Sequence, residues 1–180
     1  MYIVLENIAL KAAEEPEFQS IIELLRRENS IAEISRLGCS ASVTCMDELF
    51  QAAGGGELRF GRVMTVWNED EGTLVGLLVL EKMDWKNGVA EIAVFPAEGR
   101  EADVAKGLKA LLRFCFDELR TECAVVTCLA EDAPVGRTCE AAGFLRDVVL
   151  RARIQMGDQN KDVAVYTYTQ AEREHEKANV

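Results

Sequence analysis

The sequence predicts a mixed α/β fold in which a central, mostly antiparallel sheet carries helices on both faces. Three observations predict it. Val89 to Phe95 form a short strand that meets Pro96, a polar loop and then a long amphipathic helix, in which Val104, Leu108, Leu111, Leu112, Cys115 and Leu119 recur at helical spacing. Leu58 to Trp67, Thr73 to Met83 and Val89 to Phe95 are successive β candidates. The turn before the third ends in Asn87-Gly88, a pair that tolerates the positive φ of a tight hairpin. Leu74 to Leu80 is apolar on both faces, as a strand covered on both sides must be.

In chain order, Tyr2 to Ile8 reads as a first strand. Pro16 then suits the first turn of a helix through Phe18, Ile21, Ile22, Leu24 and Leu25, because proline lacks an N–H that nothing there needs. Ile31 to Leu37 forms a second helix after the cap Asn29-Ser30 and ends at Gly38. Thr44 caps a third, Cys45 to Ala53, with Asp47 and Glu48 in its first turn. Gly54-Gly55-Gly56 is a connector, since no Lys-Ser/Thr follows it to make a phosphate loop. Beyond the long helix, Ala124 to Leu129 is a buried strand and Glu131-Asp132-Ala133-Pro134 opens a short helix that stops at Gly143. Phe144 to Ile154 and Val163 to Thr169 are final strands around a polar turn from Gly157 to Asp162. The order is β-α-α-(α)-β-β-β-α-β-α-β-β, with residues 1–170 as one domain and 171–180 as a charged, solvated tail.

Composition narrows the chemistry. Over 180 residues, 20 Lys and Arg against 31 Asp and Glu leave a net charge of −11, which argues against a nucleic-acid or anionic-membrane surface. That balance suits a cationic partner, or simply a solubilising surface. No stretch is long and apolar enough to span a bilayer and no leader is evident, so a cytoplasmic protein is expected. The six cysteines contain no C-x-x-C pair and read as reduced, mostly buried side chains, with no metal site. The single histidine, His175, lies in the tail, so Ser-His-Asp and Cys-His hydrolases and histidine-based metal sites drop out.

Three motifs resemble the GNAT superfamily of acyl-CoA-dependent N-acetyltransferases, especially the branch that acetylates ribosomal-protein N-termini. Ile92-Ala93-Val94-Phe95-Pro96 is similar to the end of the family's fourth strand. Gly107-Leu108-Lys109-Ala110-Leu111-Leu112 looks like the body of its CoA helix. Leu129 to Pro134, with Glu140-Ala141-Ala142-Gly143-Phe144, is similar to its N-x-x-(A/S) entry and closing E-K-x-G-F. The likeness is best over Leu58 to Thr169. It implies a GNAT-like fold, acetyl-CoA as acyl donor and direct attack by a primary amine, such as a peptide N-terminus or a small polyamine. It also implies that Ile92, Ala93 and Val94 pair with the pantetheine arm between two splayed strands, with Asp132 at the position of the family's entry asparagine.

The chain departs from the family where the pyrophosphate is held. The pattern R/Q-x-x-G-x-G/A reads Gly99, Ala102 and Val104 in one register and Arg100, Asp103 and Ala105 in the next, so the central glycine is missing in both. Glu101 and Asp103 bring two carboxylates to the helix start, which suit an empty helix but repel a pyrophosphate; Arg100 and Lys106 can offset them by folding over the phosphates. The tyrosine that many relatives use as acid falls on Cys139. Chemistry alone nominates Glu91 as base: it shares a strand face with Ala93 and Phe95, and desolvation there would raise its pKa. The alternative function is a degenerate binding or assembly module that does not use acetyl-CoA. A homodimer through the last strands, at Val148, Leu150, Val165, Tyr166 and Tyr168, is also open.

Overall fold

The computed structural model describes residues 2–27 and 63–178. Its elements are β1 (Tyr2–Leu5), β2 (Ile8–Ala12), a 3-10 turn (Glu15–Glu17), α1 (Phe18–Arg27), β3 (Val63–Asn68), β4 (Thr73–Asp84), β5 (Val89–Pro96), α2 (Glu101–Asp117), β6 (Cys123–Leu129), α3 (Ala133–Ala141), β7 (Leu145–Met156), β8 (Gln159–Thr169) and α4 (Gln170–Ala178). The helices expected at Ile31 to Leu37 and Cys45 to Ala53, the triple glycine and the start of the strand expected from Leu58 lie outside the described residues.

The strands form one eight-stranded sheet, ordered β1-β2-β3-β4-β5-β6-β8-β7. Every neighbouring pair is antiparallel except β5 and β6. A parallel pair needs a crossover, and α2 supplies it. The sheet faces are told apart by two glycines. A Cβ on Gly76 would stand 2.4 Å from Val104 Cγ2 and 2.9 Å from the Phe95 carbonyl oxygen, and one on Gly107 would stand 2.8 Å from Val66 Cγ1. Gly76, its partner Pro96, and Val94 and Ile92 by alternation therefore face α2, whereas Glu91, Ala93 and Phe95 face the side that α1 covers. Val75 to Leu80 are all buried, as expected of a central strand covered on both sides.

Four sequence expectations are corrected. The first strand is a hairpin: Glu6-Asn7 turns the chain, with Glu6 at φ 56°, and the Asn7 carbonyl accepts from the Glu69 N–H at 2.9 Å. The polar turn near the C-terminus shrinks to Gly157-Asp158, because the flanking residues continue as strand. The charged tail is not a solvated end. It continues as α4, whose Arg173 is buried, forks onto Asp117 at 2.6 and 2.7 Å and lies 5.5 Å from the centre of the Phe116 ring. Tyr166 and Tyr168 belong to the core and cannot form a dimer surface: Tyr168 packs its ring 5.8 Å from that of Phe116 and 5.7 Å from that of Phe144.

Because Gly76 makes the room that Val104 fills, Gly76→Ala should destabilise by about 1–3 kcal/mol, the usual cost of overpacking. Adding Val104→Ala should return only part of the loss, since the Phe95 carbonyl still crowds the new methyl. Thermal melts check this. An unchanged midpoint in Gly76→Ala would mean that the two elements are less closely packed than described.

Candidate active site

β5 and β6 are paired only from Val89/Cys123 to Ile92/Val126. Beyond that point β5 stays on β4 as far as Pro96, and β6 stays on β8 as far as Leu129, so the two strands part. The backbone groups left in the gap follow from alternation. The Ala97 N–H donates to the Val75 carbonyl at 2.8 Å, and the β4–β5 register is unbroken back to Ile92. Phe95 and Ala93 therefore direct their backbone groups to β4, and Val94 directs its N–H and C=O into the gap. On the other strand the Ala130 N–H donates to the Asp162 carbonyl at 2.9 Å, which turns Cys128 toward β8 and Thr127 toward the gap. The bulge lies on β4, where Glu81 is the extra residue opposite Ile92 and Glu91.

α3 packs against β5, β6 and β7 and so covers the gap on the α2 side. Asp132 caps it: the side chain accepts from the Val135 N–H at 3.2 Å. Gly136, in its first turns, is needed there because a Cβ would stand 2.8 Å from the Tyr166 hydroxyl. Tyr166 is paired to Val126, the last β6 residue before the strands part. Burial pushes its phenol above the ordinary value, so it stays protonated at neutral pH. From the sequence, Tyr166 is one of the last-strand residues through which a homodimer could extend the sheet. The signal for its true position is the Gly136–Tyr166 contact, which no spacing along the chain reveals.

Glu91 is not a desolvated base. Its carboxylate accepts from Lys82 at 3.0 Å and its side chain is 45% exposed. It also lies three positions before Val94, roughly 10 Å along the strand, and on the opposite sheet face. Cys139 is fully buried on the inner face of α3, where loss of solvation drives its thiol upward and keeps it from acting as a thiolate nucleophile. Cys115 and Cys128 are likewise pushed up to about 12 by burial.

The start of α2 holds seven interlocked charges. Arg100 forks onto both carboxylate oxygens of Glu71 and reaches Asp103 at 3.3 Å. Lys106 pairs with Glu6 at 2.5 Å, and Arg137 of α3 pairs with Glu101 at 2.5 Å. The Asn68 amide adds a 3.5 Å contact to Asp103. The Arg137 bond to Glu101 and the Arg100 bond to Glu71 hold both carboxyls below the usual range, so they are ionised at neutrality. Arg100 and Lys106 thus do not fold over an anion site; each is spent on a carboxylate. Ala102 is exposed, while Val104 and Ala105 are buried in packing and present nothing to a ligand.

Two cavities adjoin these elements. One of about 610 Å³ opens one residue past Leu129 and is lined by Ala130, Glu131, Gln159, Asn160, Lys161 and Asp162, with Lys161 bonded to Glu131 at 2.8 Å. Another of about 320 Å³ lies between α1 and the β3–β4 turn and includes Trp67 and Ala97. Among the described residues no group of three or more potential ligands could hold a metal ion, and no helix is long and apolar enough to cross a membrane.

Several solved structures share this arrangement over nearly their whole length. A ribosomal-protein α-N-acetyltransferase, RimL, in complex with coenzyme A, superposes with a TM-score of 0.73 at 16% identity, over 94% of this chain and 98% of that one. The fold is that of the GNAT acetyltransferases. An acetyltransferase of the GNAT family from Bacillus anthracis gives 0.70 at 19% identity, covering 95% and 99% of the two chains. A mutant spermidine N-acetyltransferase, SpeG, from Vibrio cholerae gives 0.71 at 16%, covering 96% and 99%. No family model and no curated sequence matches the chain. The likeness is therefore one of fold, at 16–19% identity in these three structures.

Selective alkylation checks the site's cysteine chemistry. Of the cysteines among the described residues, the partly exposed Cys123 should label first in the native protein, while peptides holding Cys115, Cys128 and Cys139 stay unlabelled until denaturant is added. Rapid native labelling at Cys139 would make its thiolate a candidate nucleophile.

Proposed function

We propose that the chain is an N-acyltransferase that moves an acyl group from a thioester donor, acetyl-CoA in the first instance, to a primary amine. The observation that carries this reading is the parting of β5 and β6 with the Val94 N–H and C=O aimed into the gap. An acyl thioester brings the activated carbonyl. The chain's share is to align its arm along β5, hold the carbonyl beside a fixed N–H, and keep a proton ready for the departing sulfur. Tyr166 is our candidate for that proton, as a buried phenol at the level where the strands part. It takes over the role that the sequence resemblance assigned to the position of Cys139.

The acceptor is read as a polar amine whose polar part occupies the cavity beside Ala130, which Glu131, Gln159, Asn160, Lys161 and Asp162 line. RimL and SpeG are named for action on a ribosomal protein and on spermidine, and both fit such a reading without choosing between a peptide N-terminus and a polyamine. The carboxylates at the start of α2 favour a second reading, a GNAT-fold binding module without donor. A second copy of the chain is our reading of what pairs with the outer edge of β7, where Leu145, Val148, Val149 and Leu150 are exposed; sedimentation of the protein with and without Val148→Glu tests it.

Turnover of acetyl-CoA with a panel of amines tests the main reading; absence of transfer to every amine, with no thioester bound, would leave the module. Tyr166→Phe should lower kcat roughly a hundredfold with little change in donor KM, and the alkaline limb of the pH profile, set above the ordinary phenol range, should vanish. Unchanged kcat would remove Tyr166 from this role.

A further inference from the structure

We infer that this chain recognises its acyl donor through the pantetheine arm and makes no productive use of the adenosine diphosphate beyond it. The inference rests on the acyltransfer reading and fixes the part of the donor that is bound. The two ends of the donor path differ in kind. The gap between β5 and β6 offers backbone amide groups of Val94 and Thr127 that neither strand takes up, the chemistry that the two amides of a pantetheine arm require. The start of α2, where a diphosphate would have to sit, offers a completed ionic network instead.

Charge makes the conflict concrete. Arg100, Lys106 and Arg137 stand against Glu6, Glu71, Glu101 and Asp103, three cations to four anions, before any ligand arrives. A diphosphate would add at least two negative charges beside carboxylates held in their ionised form. To be bound it would have to take Arg100 from a forked Glu71 contact, leaving Glu71 and Asp103 without their cation next to the phosphates. The helix dipole does not rescue it, since Glu101 and Asp103 already occupy the first turn. Nor does the backbone: the loop's one positive-φ residue is Gly99 at 72°, the central glycine of the family pattern falls on Ala102, and Val104, at its last position, is spent on filling the space beside Gly76.

The same arm is carried by free coenzyme A and by the phosphopantetheine of a carrier protein. Calorimetric titration with pantetheine, coenzyme A, 3′,5′-ADP and a phosphopantetheinylated carrier protein separates the sources. Pantetheine and coenzyme A should bind within roughly threefold of each other, 3′,5′-ADP should not bind, and the affinities should hardly change between about 50 and 500 mM salt. Carrier protein binding far more tightly than pantetheine would name the carrier as the source; equal binding would name the free thioester. Glu71→Gln with Asp103→Asn, which releases Arg100, should tighten coenzyme A and leave pantetheine unchanged. Coenzyme A binding tenfold or more tighter than pantetheine, or measurable 3′,5′-ADP binding, would overturn the inference while sparing the acyltransfer reading. Failure of every arm-bearing ligand to bind would overturn both.

Discussion

The site depends on β5 and β6 being hydrogen-bonded for four residue pairs and then ceasing to be. A sheet normally leaves no backbone amide unpaired in its interior, because a buried orphan costs about 1–3 kcal/mol. Here each strand keeps its outer partner, β4 or β8, so the sheet stays whole while one backbone edge on each inner side is released. The cost is reduced because Pro96, at the end of β5, has no N–H to satisfy. A groove with amide groups on its walls and a helix over it is thus a product of strand pairing rather than of particular side chains.

That independence from side chains explains what could be read in the sequence. Strand and helix periodicity located β4, β5, α2, β6 and α3 to within a residue or two, because each buries a continuous apolar face. The hairpin at Glu6-Asn7 was hidden because Ile3, Leu5 and Ile8 alternate as one strand would. The C-terminal helix was hidden because its composition is nearly all polar, and what orders it is Arg173 reaching Asp117, 56 positions away. Motif positions were legible in the site, but partners were not. Glu91 looked desolvated by its neighbours along β5, yet it is half-exposed and its partner is Lys82 across the hairpin. Tyr166 was visible as a tyrosine and invisible as a neighbour of Gly136.

Val104 shows how a helix and a strand can share one volume. In the helix a glycine would spare space against the sheet; here Val104 uses that space and Gly76, on β4, gives it back. The two residues are 28 positions apart and act as one packing unit. The side chains at the helix start follow the ordinary preferences of a solvent-exposed helix: acids in the first turn, cations paired to them.

The same logic bears on the acidic balance of the whole chain. A net charge of −11 suggests attraction of cationic acceptors, but Glu131, which lines the cavity past Leu129, is already paired with Lys161. Exposed pairs of this kind contribute little to stability, about 0–1 kcal/mol each, and exchange partners readily. Their consequence is local: they reduce the field that each carboxylate projects into the gap. Long-range attraction of a cation therefore comes from the summed surface charge, screened over about 8–10 Å at physiological salt, while under the acyltransfer proposal selection of an amine would fall to shape and to hydrogen bonds in the cavity beside Ala130.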